Sequence, residues 1–298
     1  MTGRRSVYSS REVSLAFFLL LPSLVVFGLF VFYPLVRTIW LGFHESDFFG
    51  GNRVWIGPSQ YVDVLTSPDT RNSLWISILY TLLTVPTGLA AGIGLAVLAN
   101  KPLRGMSVFR TIFSSTVATS VAVASLMFLV LFNPSVGILS QVLSWEVFEH
   151  PGLLNDPSWA LIAVSAATVW QNLGFTFIIV TAGLQSIPAD LYESAQLDGL
   201  TPARQFREIT LPLLSPTLLF GVVVLTIIAF QSFGQVDLLT QGGPLDRTNL
   251  LVYSIFDNAF GPSKDEGVAS VQAIGLFGVM AVLSMIQFRI LDRRVHYG

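Results

Sequence analysis

The stretch Ala189-Asp190-Leu191-Tyr192-Glu193-Ser194-Ala195-Gln196-Leu197-Asp198-Gly199-Leu200-Thr201-Pro202-Ala203-Arg204-Gln205-Phe206-Arg207-Glu208-Ile209-Thr210-Leu211-Pro212 is the most charge-dense part of an otherwise apolar chain. It lies between two long charge-free runs, so it reads as a loop on one side of a membrane. Its local signals nevertheless specify helix, twice. Pro188 fits a first helical turn, and Asp190 favours the positive N-terminal end. Leu191, Ser194, Ala195 and Asp198 share a face at three- and four-residue spacing. Gly199 can take the left-handed conformation that stops that helix. Thr201 suits an N-cap, and Pro202 suits the first residue of a second helix that runs to Leu211-Pro212, where a span is expected to begin. The expected product is a hook of two short helices meeting at an angle around Gly199, a shape that can dock in a groove of another protein.

The rest of the chain explains why such a hook is needed. Of its 298 residues, 52% are hydrophobic and 11% charged, with a mean hydropathy of +0.67. Soluble domains carry about 25% charged residues, so this chain cannot cover a water-facing surface and reads as a polytopic membrane protein. There is no cysteine, hence no disulfide, thiolate site or iron–sulfur cluster. The three histidines, His44, His150 and His296, are far apart in polar segments, so no metal site is expected.

Charge-free runs long enough to cross about 30 Å of hydrocarbon take about 20 helical residues each. Six occur: Glu12 to Arg37, Arg71 to Lys101, Arg110 to Glu146, Asp156 to Asp190, Glu208 to Asp237, and Glu266 to Arg289. They place spans near 14–37, 72–99, 107–132, 158–184, 211–236 and 269–290, within a single membrane domain over 1–298. The run from Val13 to Val36 is too long for a signal core, and Tyr33-Pro34-Leu35 is no cleavage site, so it is expected to stay as the first span. With the N-terminus inside, the inner segments hold Arg4, Arg5, Arg11, Lys101, Arg104, Arg110, Arg204, Arg207, Arg289, Arg293 and Arg294. The outer ones hold Arg37, Arg53, Arg71, Arg247 and Lys264, which accounts for all 16 basic residues. That asymmetry satisfies the positive-inside rule, so both termini and the hook are expected on the cytoplasmic side. The outer segments carry Trp40, Phe43, Phe48, Phe49, Trp55 and Tyr61, which suit a membrane–water interface. Leu239-Thr240-Gln241-Gly242-Gly243-Pro244, taken alone, reads as an exposed turn, with a dip toward the pore as the alternative.

The interiors of the six runs contain no Asp, Glu, Lys, Arg or His. Ion-driven transporters keep ionisable groups in the bilayer, so secondary active transport is disfavoured. A membrane enzyme would need a reactive cluster, and none is visible; with histidines only in loops and tail, a serine triad is excluded. What the spans do hold is amides and hydroxyls: Thr116, Thr119, Ser120 and Ser125, then Gln171 and Asn172, then Gln231, Ser232 and Gln235, then Gln272. These groups can hydrogen-bond a polar solute without burying charge, or can glue helix to helix. Arg37 near the outer mouth is either a further solute contact or an interfacial anchor. There is no phosphate loop: Lys101 precedes Pro102 and Lys264 precedes Asp265, and neither follows a glycine-rich run. If transport is active, energy must enter through a partner. The alternative from a different class is a passive channel or facilitator for small polar solutes, which would purify without an ATPase.

Glu193-Ser194-Ala195, two residues, Asp198-Gly199-Leu200, eight residues, Ile209, one residue and Leu211-Pro212 together resemble the EAA loop of ABC importer permeases, with Ser194 and Leu200 where that family has alanine. The resemblance covers most of the chain. Trp55-Ile56-Gly57-Pro58-Ser59-Gln60-Tyr61, Leu131-Phe132-Asn133-Pro134, and Leu239 to Pro244 with Thr248 and the Tyr253–Phe260 segment are similar to the maltose and glycerol-phosphate class. On that resemblance the Gly-Gly-Pro loop is more than an exposed turn. The run from Gln231 to Pro244 looks most like the Ugp type, for glycerol-3-phosphate and glycerophosphodiesters. The resemblance implies an all-α, six-span type I importer permease with a cytoplasmic coupling loop over 186–212. It is expected in a prokaryotic cell membrane and is not itself an enzyme. The implied partners are a second homologous permease subunit, two copies of a cytoplasmic ABC ATPase and an extracytoplasmic solute-binding protein, in a lipid bilayer and without nucleic acid. The chain itself would need no cofactor, since Mg-ATP would sit on the partner ATPase. Coupling would fall to Glu193, Ser194, Ala195, Asp198, Gly199, Arg204, Ile209 and Pro212, with Glu193 as a polar contact and Gly199 at the bend. The solute-path candidates are Thr116, Ser120, Gln171, Asn172, Gln231, Gln235, Gln272 and Arg37.

Overall fold

The computed structural model describes residues 10–46, 53–100, 104–139, 152–262 and 264–291. The first span is an apolar rod from Ser14 to Leu41. It joins α1 (Ser10–Phe27) through a π turn over Gly28–Phe32 to α2 (Tyr33–Leu41). Pro34 explains the π turn. A proline cannot donate and its ring clashes with the carbonyl four residues back. Widening the turn, so that the Tyr33 N–H reaches the Gly28 carbonyl five residues back, makes room for the ring. The apolar window of this span is unburied within the chain.

Beyond α2 a two-stranded antiparallel hairpin, His44–Ser46 with Arg53–Trp55, and helix α3 (Ser59–Thr66) form a small cap on the segment the sequence assigns to the outer side. The aromatic residues assigned to the interface pack on one another here: Phe43 stacks on Trp55 at 5.4 Å and meets Tyr61 at 5.0 Å between centroids. Phe48 and Phe49, also assigned to the interface, lie outside the described residues.

Helix α4 (Pro68–Ala99) starts with Ser67 as N-cap, its hydroxyl accepting from the Thr70 N–H at 3.3 Å. Its C-terminal carbonyls need a partner. The Arg110 guanidinium supplies one, donating to the Ala99 carbonyl at 2.8 and 3.2 Å. The third span is not the single rod expected over 107–132. α5 (Met106–Ser115) and a 3₁₀ turn (Thr116–Ala118) meet α6 (Val121–Leu131) at a 106° bend. No Pro or Gly marks that bend; the hydroxyl-rich run Ser114 to Ser120 makes it, with the Ser120 hydroxyl capping α6 at the Val123 N–H.

α7 (Ala160–Gln185) runs straight through the middle and packs along α4. The approach is close because the facing residues are small: a Cβ on Gly92 would sit 2.3 Å from the Thr176 methyl. Where lipid removes the hydrophobic drive, small residues let dispersion and hydrogen bonds hold helices together. One core cluster lies around Ile76, Tyr80, Phe128, Val164 and Leu225, and a second around Ala96, Phe177, Val180 and Leu214.

The hook's first helix, α8 (Ala189–Leu197), is as expected, but its second is not a separate element. α9 (Pro202–Gln205), a π turn over Phe206–Thr210 and α10 (Leu211–Phe230) form one continuous rod, Pro202–Phe230. Leu211-Pro212 therefore does not end the second hook helix. The Leu211 N–H reaches the Phe206 carbonyl five residues back, the same accommodation of a proline as at Pro34. The fifth span thus begins nine residues before the expected 211, and its helix ends at Phe230 rather than near 236.

After a break at Gln231–Phe233 come α11 (Gly234–Leu239), α12 (Leu251–Phe260) and α13 (Glu266–Leu291). The intervening Gly-Gly-Pro loop is no loose turn. Gln241, Gly242, Leu245 and Asp246 have positive φ. The fully buried Thr248 hydroxyl bonds to the Gly243 carbonyl (2.5 Å) and to the Thr240 hydroxyl (2.7 Å). Val236, Leu239 and Leu250 join the same core as Ile76 and Tyr80, so 234–251 folds back over the helices. The N-terminus of α13 anchors the outer cap. Arg53 and Lys264 pair with Glu266 at 2.7 and 2.9 Å, and Gly267 lies so close to the His44 carbonyl that a Cβ there would be 1.9 Å from it.

Candidate functional site

Two polar features stand out from the apolar body: the exposed hook and a buried band between the helix breaks. The hook ends α8 with a Schellman motif. Gly199 has φ +75°, the Leu200 N–H bonds to the Ala195 carbonyl at 2.9 Å, and the Gly199 N–H bonds to Gln196 at 3.0 Å. The Gln205 amide donates to the Leu200 carbonyl at 3.0 Å, which fixes the bend from the other side. The Tyr192 and Thr210 hydroxyls, 2.9 Å apart, tie α8 to the foot of the fifth span. Ala195 is buried, while Ile209 and Pro212 are half-buried. Glu193, Ser194, Asp198, Gly199 and Arg204 are exposed, and Leu197 is 89% exposed. The hook therefore fastens itself with one face and turns carboxylates, a guanidinium and an uncovered leucine outward.

The buried band is built around α7. Gln171 and Gln235 meet through their amides, the Gln235 Nε2 donating to the Gln171 Oε1. The Ser232 hydroxyl donates to the Gln235 Oε1 at 2.9 Å, and the Tyr80 hydroxyl lies 2.9 Å from Ser232 and 2.5 Å from Thr168. The Gln171 Nε2 reaches the Thr119 carbonyl at 3.5 Å, and Thr116 accepts from the Gly174 N–H at 2.7 Å. Thr116, Gln171 and Gln235 are thus brought together. Asn172 lines a neighbouring cleft with Thr84, Gly88, Leu225, Ala229 and Thr168, the last shared with the band. The side chains of Asn172 and the exposed Gln231 have no hydrogen-bond partner among the described residues, and Ser120 is exposed at the bend. Gln272 lies elsewhere. Fully buried, it donates to Thr70 at 2.9 Å and accepts from Asn258 at 3.1 Å, holding α4, α12 and α13 together as glue. Arg37 is exposed on the first span, away from the band.

The reading of the sequence left out Tyr80, Thr168 and Thr84 from the candidates. Their signal was present. Ser73, Ser77, Tyr80 and Thr84 recur at four, three and four residues, which puts four hydroxyls on one buried face of α4. Beside the break after the fifth span, burial and then Asp237 and Asp257 raise the Tyr253 phenol above its usual pKa.

Residues 88–297 match the family described as binding-protein-dependent transport system inner membrane component. The chain belongs to this family. It is a non-catalytic, multi-pass permease subunit of an ABC importer, and ATP is hydrolysed by separate subunits. A free-standing channel is accordingly not favoured. Among relatives of this permease, the sn-glycerol-3-phosphate transport system permease protein UgpA of Brucella abortus is 33% identical over 285 residues, covering 95% of this chain and 97% of that protein. UgpA of Yersinia pestis is 30% identical over 289 residues, covering 95% and 96%. The permease fold matches a chain of a bacterial ABC transporter that imports the acidic polysaccharide alginate, with TM-score 0.81 at 22% identity, over 95% of this chain and 96% of that one.

Proposed function

We propose that this permease forms half of the path for a sugar or glycerol-phosphate-type solute. A second homologous permease completes the path, and two copies of a cytoplasmic ABC ATPase supply the drive. An extracytoplasmic binding protein delivers solute to the outer cap. The chain carries no cofactor; Mg-ATP sits on the ATPase. Both termini and the hook face the cytoplasm. The observation that carries the substrate class is likeness to glycerol-3-phosphate permeases over 95% of the chain.

The hook is the mechanical joint. Leu197, bare in the isolated chain, gains its burial in the ATPase groove, worth about 1.5–3 kcal/mol for a leucine leaving water. Glu193 makes a polar contact beside it. Closure of the ATPase pair draws the hooks together and turns the path outward, and hydrolysis resets it, which is alternating access between two states biased by ATP. In the path, Asn172 and Gln231 offer amides to solute hydroxyls. The test is ATP hydrolysis by the intact transporter with its binding protein, across glycerol-3-phosphate, glycerophosphodiesters and neutral sugars. Stimulation by one of these classes is expected; stimulation by none of them contradicts the substrate proposal.

A further inference from the structure

The break inside the third span, at Thr119–Ser120, and the break that follows the fifth, at Gln231–Phe233, meet on the same set of hydrogen bonds. The donors in that set can be assigned by counting. Thr119 contributes a carbonyl, which only accepts, so the Gln171 amide nitrogen donates to it. The Gln171 oxygen then accepts from Gln235, the Gln235 oxygen from Ser232 and the Ser232 oxygen from Tyr80, so the 2.5 Å contact between Tyr80 and Thr168 takes the Thr168 proton, in place of the Val164 carbonyl at 3.1 Å. The Tyr80 and Ser232 hydroxyls each donate once and accept once, and Thr168 heads the chain as a donor, all in one direction. Chains of this kind polarise each link and strengthen as a whole.

The chain is buried from Thr168 to Gln235: Tyr80 and Thr168 are 0% and 1% exposed, and Gln235 and Ser232 are 5% and 6%, while Gln171 and Thr119 are half-buried. Around its hydroxyls stand Phe128, Leu225, Ala229 and Val236, whose side chains are apolar. Moving one break without the other would break the amide links and leave the buried Gln235 without its acceptor. On α7, Thr168, Gln171 and Gly174 follow at three-residue spacing, so one face of an unbroken helix grips both breaks, Gly174 through its N–H to Thr116.

We propose that this hydrogen-bond chain locks the two helix breaks into one moving unit, and that Tyr80, Gln171 and Gln235 are positioning residues of the transport cycle rather than solute contacts. The proposal rests on the permease reading above. Its amides spend their atoms on each other, which leaves Asn172, on the adjacent face, to meet solute. The lock makes the hook's position and the outer α6–α11 pair change together. Without it the hook can close on the ATPase with no solute in place.

The test uses the intact transporter in proteoliposomes, with and without binding protein loaded with glycerol-3-phosphate, in Tyr80→Phe, Gln171→Leu, Gln235→Leu and the Gln171→Leu/Gln235→Leu double variant. The expected result is an ATP hydrolysis rate without binding protein that rises about tenfold in each single variant, the scale of one buried hydrogen bond. ATP used per solute should rise with it, the KM for loaded binding protein should be unchanged, and the double variant should be no worse than the worse single. Unchanged solute-free hydrolysis, or a double variant that multiplies the singles, overturns the lock. A shifted solute preference at constant ATP per solute also overturns it, by making the amides solute contacts. If the leucine variants fail to assemble with the ATPase, Tyr80→Phe, which removes a single oxygen, decides alone. Failure of the wild-type chain to co-purify with an ATPase would instead strike the permease reading.

Discussion

Gly199 shows how a single residue can be indispensable without touching anything. Its φ of +75° is the conformation that costs an ordinary L-residue about 1–2 kcal/mol, yet a Cβ there would meet no atom within 4 Å. The requirement is conformational, not steric. Gly199→Asn should therefore retain transport, since asparagine visits this region. Gly199→Val should abolish uptake while leaving membrane insertion intact, as read by solute uptake beside membrane fractionation. Equal uptake by the two variants would remove the bend from the mechanism. The glycine's role was legible in the sequence, because Asp198-Gly199 closes a helical pattern and Thr201-Pro202 opens the next. The roles of Tyr80 and Thr168 were not read there, because hydroxyls inside an apolar run look like ordinary helix glue until the partner helices are in place.

At the scale of elements, prolines explain where the sequence was misread. Pro212 predicts the end of a hook helix, the usual consequence of a residue that cannot donate and that clashes one turn back. A π turn at Phe206–Thr210 absorbs it, so hook and span are one rod of 29 residues, about 44 Å at 1.5 Å per residue. Such a rod transmits force from Arg204 straight to the break at Gln231. Inserting two glycines after Gln205 should leave α8 and its dock intact but cut uptake sharply, while co-purification with the ATPase persists. Uptake at the wild-type rate would show that the rod is not the lever. The bend in the third span went unseen for the opposite reason. It contains no Pro or Gly; Ser120 caps the Val123 N–H locally, and Thr116 accepts the Gly174 N–H only once α7 lies beside it.

For the molecule as a whole, composition and charge placement carried most of the reading. Six apolar runs without interior charge gave the membrane class, and among the described residues they appear as five continuous spans and one bent pair. Of the inner-side basic residues, Arg4, Arg5, Lys101, Arg293 and Arg294 lie outside the described residues, so the proposed orientation rests on the sequence. It can be checked directly because the chain has no cysteine of its own. Arg204→Cys should react with an impermeant thiol reagent only from the cytoplasmic side. Leu245→Cys, at an 82% exposed position, should react only from the outside. Labelling of both from one side would invert or break the topology.

The central claim is that energy enters this chain through the hook. The most direct measurement is the amount of ATPase subunit retained when the transporter is captured through this permease, for the wild-type hook and for Leu197→Asp combined with Glu193→Lys. Placing a carboxylate where a leucine docks, and reversing the neighbouring charge, should release the ATPase and abolish uptake while the permease stays in the membrane. Full retention of the ATPase with unchanged uptake would contradict it.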